Sequence, residues 1–196
     1  DGAFAYGVSP YANRVIPINL MKLIAWPSIP VGENPVAITL NHEGTLGYVA
    51  NHVDGTVTIF DIDPASPERH HVVDAIVVGQ APTDLAITPD GDRLVVVNYG
   101  SNDLSVIDTD ANSEAFHSVV SNPKTSTGTR TVSITPDGGL LYLGTDAGYL
   151  VMSVSGYSVV SNVNTGSATR TVAVTPDGAF LILLTTEGAV RSTASA

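Results

Sequence analysis

The chain has 196 residues, of which 43% are hydrophobic, enough to build a core and to exclude a disordered polypeptide. A formal charge of −11, with Lys22 and Lys124 as the only lysines, argues against a nucleic-acid partner or an anionic membrane surface, and no apolar run is long enough for a membrane-spanning helix. The absence of cysteine removes disulfides, thiolate zinc sites and cysteine nucleophiles, and fits an exported protein.

Only 14% of residues are charged, so Ser, Thr, Asn and Gly fill surface and turn positions, as in β-rich proteins with many turns. Apolar residues never hold a 3.6-residue period over three turns, and the apolar runs are strand-sized. The chain opens on "DGAFAYG", whose Asp1-Gly2 reads as the back half of a hairpin turn without the strand that should precede it. From Pro35 comes "PVAITLNHEGTLGYVAN", a strand, a turn and a strand, followed by the alternating segments "TVTIFDID" and "VVDAIVVG". The phrase returns as "PTDLAITPDGDRLVVVN" from Pro82, "RTVSITPDGGLLYLGT" from Arg130 and "RTVAVTPDGAFLILLT" from Arg170. Turn glycines at 2, 44, 91, 138 and 178 mark the period, and an ungapped offset of 40 makes residues 118–153 and 158–193 identical at about half of their positions.

In Thr-Pro-Asp-Gly the proline presets φ, the aspartate bonds its own backbone, and the glycine takes the positive φ that closes a hairpin. Four short strands per unit make a twisted sheet that cannot bury both faces alone, so neighbouring units must cover it. The expected fold is all-β: a β-propeller of four-stranded antiparallel blades. Taken in order, the blades are 1–30 (partial), 31–78, 79–122, 123–162 and 163–196 (partial). The first unit supplies the second to fourth strands, with Trp26 packing in the outer one. The last supplies two strands and at most a poor third, about 18 strands in all.

The segments "VGENPVAITLNHEGTLGYVANHVDGTVTIFDID" (31–63) and "VGQAPTDLAITPDGDRLVVVNYGSNDLSVIDTD" (78–110) resemble the YVTN-type β-propeller repeat, with Tyr48-Val49-Ala50-Asn51 close to the phrase that names it. The resemblance loosens in the last two units, where the phrase becomes "YLGT" and "ILLT" and the aspartate after the third strand is absent. It implies a seven-bladed ring, of which four to five blades would be an arc. The expectation is therefore a piece of a longer protein, completed by further segments or further copies.

By analogy with other propellers, the connections between second and third strands and between blades carry ligands. That face holds His52, Asn98, Tyr99, Arg130, Asp146 and Arg170. Arg130 and Arg170 occupy equivalent places before adjacent inner strands, where two guanidiniums could grip a carboxylate or phosphate. The alternative is pairing of each with an acidic loop residue such as Asp146 or Glu187. His42, His52 and the adjacent pair His70 and His71 fall in three different connections and do not form a metal set. "DTDANSE" (108–114) starts like a calcium loop but lacks its glycine and glutamate, and reads as a polar turn. No nucleophile elbow or Walker loop is present. No catalytic residue, metal or cofactor is expected. The leading reading is a non-catalytic scaffold or binding domain, secreted, periplasmic or at the cell surface, for a protein or glycan ligand. The alternative is the propeller of a lactonase-like or periplasmic quinone or copper redox enzyme, since those enzymes share the folds that the resemblance points to.

Overall fold

The computed structural model describes residues 2–193, so the expectation for Asp1 lies outside the described residues. Every element is a β-strand, arranged in five antiparallel sheets. The first holds β1 (Phe4–Ser9), β2 (Arg14–Asn19), β3 (Ile24–Ala25) and β4 (Ile29–Pro30). The second holds β5 (Pro35–Leu40), β6 (Leu46–Asn51), β7 (Thr56–Asp61) and β8 (Val72–Val77), and the third β9 (Pro82–Ile87), β10 (Arg93–Asn98), β11 (Asp103–Asp108) and β12 (Val119–Ser121). The fourth comprises β13 (Thr131–Ile134), β14 (Leu140–Thr145), β15 (Gly148–Ser153) and β16 (Val159–Asn164), and the fifth β17 (Thr169–Val174), β18 (Phe180–Thr185) and β19 (Gly188–Thr193). Strands pair in sequence order within each sheet, except that β3 and β4 both pair with β2.

The hairpin turns form as their chemistry dictates. Thr88 Oγ1 donates to Asp90 Oδ1 at 2.5 Å while accepting from Arg93 N at 3.0 Å, and Gly91 takes φ +83°. Thr135 with Asp137 and Thr175 with Asp177 repeat the arrangement. In the second sheet Asn41 substitutes, its Oδ1 accepting from Thr45 N and Leu46 N.

Adjacent sheets bury the faces they turn to each other. Tyr48, Ala50, Val57 and Ile59 of the second sheet pack on Leu85, Leu94, Val96 and Ile107 of the third. Val95 and Val97 pack on Leu141 and Leu143, and Tyr142 on Leu181 and Leu183. At about 1.5–3 kcal/mol for each large side chain buried, these layers hold the arc together. The strands β5, β9, β13 and β17 stand side by side along its inner edge. The first sheet meets β5 through β1, which matches β6, β10, β14 and β18 in the repeat.

Residues before the outer strands adopt a left-handed conformation at Leu23, His70, His117 and Tyr157 (φ +54°, +68°, +59° and +50°). Three of these side chains plug the preceding sheet. Tyr6 Oη lies 3.0 Å from His70 Nε2, the His117 ring meets the Tyr48 ring edge-on at 6.1 Å, and Tyr157 packs on the cluster that contains Val95. Leu23 meets no preceding sheet among the described residues and is exposed.

Two expectations need adjustment. The third strand of the last sheet is regular: β19 pairs with β18 along all six residues, because Gly188 (φ +134°) permits a tight turn that Thr185 Oγ1 closes by donating to the Gly188 carbonyl at 2.8 Å. The outer strand of the first sheet is broken into β3 and β4 around Pro27, which has no N–H for the ladder. Trp26 lies at that break, edge-on to Phe4 and to His70 of the next sheet.

Candidate functional site

The connections following β10 and β14, together with the link into β13, bring Tyr99, Asp146 and Arg130 into contact. Arg130 is fixed by its backbone, whose N–H donates to the Gly144 carbonyl at 2.9 Å and whose carbonyl accepts from Thr83 Oγ1 at 2.8 Å. Its Nε donates to Asp146 Oδ1 at 2.8 Å and its Nη2 to Tyr99 Oη at 2.8 Å, with the guanidinium carbon 3.9 Å from the Tyr99 ring centroid. The adjacent Asp146 carboxylate deepens the preference of Arg130 for its charged form. Gly128, at φ +78°, lets Asp146 approach the chain: a Cβ there would collide with the carboxylate. Arg130 Nη1 makes no hydrogen bond among the described residues, while Asp146 Oδ2 is turned onto the Gly128 backbone.

Other expected site residues lie apart from this cluster. Arg170 is exposed and forms no ion pair with Glu187. The pairing alternative thus holds for Arg130 with Asp146 and not for Arg170 with Glu187. His52 Nδ1 lies 3.1 Å from the Pro82 carbonyl, between the second and third sheets. Asn98 is wholly buried at the end of β10, its Nδ2 donating to Asp103 Oδ1 at 3.0 Å and Ser105 Oγ at 2.9 Å. Gly79 passes directly over Asn98, and Gly32 passes over the equivalent Asn51, where a Cβ would clash. Asn98 therefore supports the loop from beneath.

The oxygens of "DTDANSE" are turned onto the chain itself. Asp108 accepts from Asp110 N at 3.0 Å and Ser113 Oγ at 3.0 Å, and pairs with Arg93 at 3.1 Å. Asp61 and Ser66 form the same brace in the second sheet, with Ser66 Oγ donating at 2.6 Å. The fourth sheet lacks that aspartate and uses a shorter connection closed by Ser153 and Ser158. Among the described residues, no group of three or more acidic or histidine side chains is placed to hold a metal ion.

Two features escaped sequence reasoning. Asp84 sits on the inner strand β9 and reaches the next inner strand, accepting from Thr131 Oγ1 at 2.7 Å and Val132 N at 3.0 Å. Beside Asp146 opens a groove of about 400 Å³ lined by Ser126, Thr127, Thr145, Ala147, Asn162 and Asn164. Its signal in the sequence is "NVN" (162–164), where the second unit has "AIV" (75–77).

Radially stacked antiparallel sheets with adjoining inner strands define an arc of a β-propeller. The sequence pattern of the family described as "Lactonase, 7-bladed beta-propeller" matches residues 19–134, and the chain belongs to that family. No curated protein matches the chain. Among solved structures, a chain of Kuenenia stuttgartiensis hydrazine synthase is similar, with a TM-score of 0.85 and 25% identity over 94% of this chain and 53% of that one. This chain thus spans about half the length of that hydrazine synthase chain.

Proposed function

We propose that the chain is a recognition scaffold, part of a secreted, periplasmic or surface propeller that presents its loop face to a protein or glycan partner. The observation that carries this reading is Arg130, held between Asp146 and Tyr99 with its Nη1 group uncommitted among the described residues. A preset donor loses little side-chain entropy on binding, and arginine and tyrosine are the usual anchors of binding surfaces. The test is binding to a glycan array and a displayed peptide library by the wild type and by Arg130→Ala. Ligands retained by the wild type and lost by the variant support the proposal; identical profiles overturn the site.

Residues 1–196 act in this reading as one propeller body, completed by further segments or copies. Ile182 and Leu184 favour that, being 44% and 47% exposed where the equivalent Tyr142 is 2% exposed beneath the next sheet.

A second reading, a lactonase-like or redox enzyme, is favoured by the family match and by the likeness to hydrazine synthase. Lactone hydrolysis by the purified chain, or a bound chromophore or stoichiometric metal, would promote it. Their absence in the chain joined to its remaining blades would count against it.

A further inference from the structure

We infer that the groove beside Asp146 is a binding site for a neutral oligosaccharide, a reading that rests on the recognition role proposed above and names its ligand class. The groove is bounded by the link into β13, by the β14–β15 turn and by the outer strand β16. Asn162 and Asn164 stand two residues apart on β16, opposite Leu150 and Gly148 of β15, so their side chains share one face about 7 Å apart. Gly148 places no side chain in front of them. Asn164 Oδ1 accepts from Gly166 N at 2.8 Å, which fixes that carboxamide and leaves its Nδ2 to donate. Ser126 Oγ, in the opposite wall, is buried without a hydrogen-bond partner. Thr127 and Thr145 bring further hydroxyl groups to the lining.

The lining selects the ligand. Serine, threonine and asparagine each donate and accept, as sugar hydroxyls do. The groove itself contains no charged side chain, and Asp146, which lies between its lining residues Thr145 and Ala147 in the chain, is already paired with Arg130. Its one apolar contributor is Ala147, which gives a peptide no pocket for an anchoring side chain. A chain charge of −11 disfavours acidic polysaccharides. Neutral sugars remain.

Saturation-transfer NMR with cellohexaose, laminarihexaose and isomaltohexaose, with oligogalacturonate as the charged comparison, tests the assignment on the 196-residue chain. At least one neutral hexasaccharide should receive transfer, and Asn162→Ala with Asn164→Ala should weaken its binding by tenfold or more. The double variant should keep the thermal midpoint of the wild type and any ligand that depends on Arg130. No transfer to the three neutral sugars overturns the inference, as does equal binding by the variant, the result expected of a chain that pairs with the β16 edge. Loss of the sugar with retention of Arg130-dependent ligands supports the groove alone. Failure of Arg130→Ala to affect any ligand, with the sugar still bound, would overturn the Arg130 site and leave the groove standing.

Discussion

Asp84 and Thr131 occupy the inner strands of adjacent sheets, and Thr131 Oγ1 donates to Asp84 Oδ2 at 2.7 Å while the same oxygen accepts from Val132 N at 3.0 Å. One side chain thereby ties the first strand of one blade to the first strand of the next. Asp84→Ala should lower stability by about 1–3 kcal/mol, since it leaves an N–H and a hydroxyl unpaired in a half-buried seam. Urea denaturation at neutral pH measures this. Burial is the main influence on Asp84 and holds its carboxyl above the usual carboxylate range. A raised carboxyl favours the fold most when protonated, so this contribution is full below the unfolded value of 3.8 and declines as pH rises through the folded one. The stability of Asp84→Asn relative to wild type should therefore improve between pH 4 and pH 7.

His117 gives the opposite slope. Burial against Tyr48 and Phe116 lowers its affinity for a proton, with Asp74 Oδ2, 3.8 Å from Nδ1, opposing that effect. The Tyr48 hydroxyl is itself pushed up to about 12 by burial and stays neutral. The unfolded chain takes up a proton near pH 6.5 before the folded chain does, so this contribution is present above that pH and fades as pH falls through the window below it. Urea midpoints at pH 7.5 and 5.5 should converge in His117→Gln relative to the wild type.

Gly47 faces the Phe60 ring so closely that an added Cβ would overlap it. Gly47→Ala should cost about 1–3 kcal/mol as the ring is forced from its rotamer. Phe60→Leu should recover part of that loss, so a double-mutant cycle should return a favourable coupling energy.

Ile182→Lys with Leu184→Lys should leave the thermal midpoint of the isolated chain nearly unchanged and reduce its concentration-dependent association in gel filtration. Val95→Lys, at the position equivalent to Ile182 but fully buried, should unfold the protein. Equal effects at both places would show that the face of the fifth sheet is already covered.

Arg130→Ala should be mild by comparison, about 1 kcal/mol or less, because the pair with Asp146 is partly solvent-exposed. Chemical denaturation beside the binding assay would separate this small structural effect from a loss of recognition.

The repeat phrase was legible in the sequence because its parts act locally. Thr88, Asp90 and Gly91 close their hairpin by contacts within five residues, and the strand-length runs of β6 and β10, buried on both faces, mark them as central strands between stacked sheets. The brace between Asp61 and Ser66 is equally local. The loop cluster was legible in part: Arg130 stood out by its repeat with Arg170, and the pairing of Arg130 with Asp146 was foreseen as an alternative. Its contact with Tyr99 was not, because those residues are 31 positions apart and meet only through the angle between two sheets.

The sequence by itself determined an all-β repeat, its period, its turns and the order of strands within each sheet, since these follow from propensity, alternation and hydrogen bonds over a few residues. Only the tertiary structure decided that Asn98 is a buried prop, that Arg170 makes no ion pair among the described residues, that Asp84 joins two inner strands and that Asn162 and Asn164 line an open groove. Each of these depends on where one sheet falls against another. Packing between blades fixes that relation, and no single repeat encodes it.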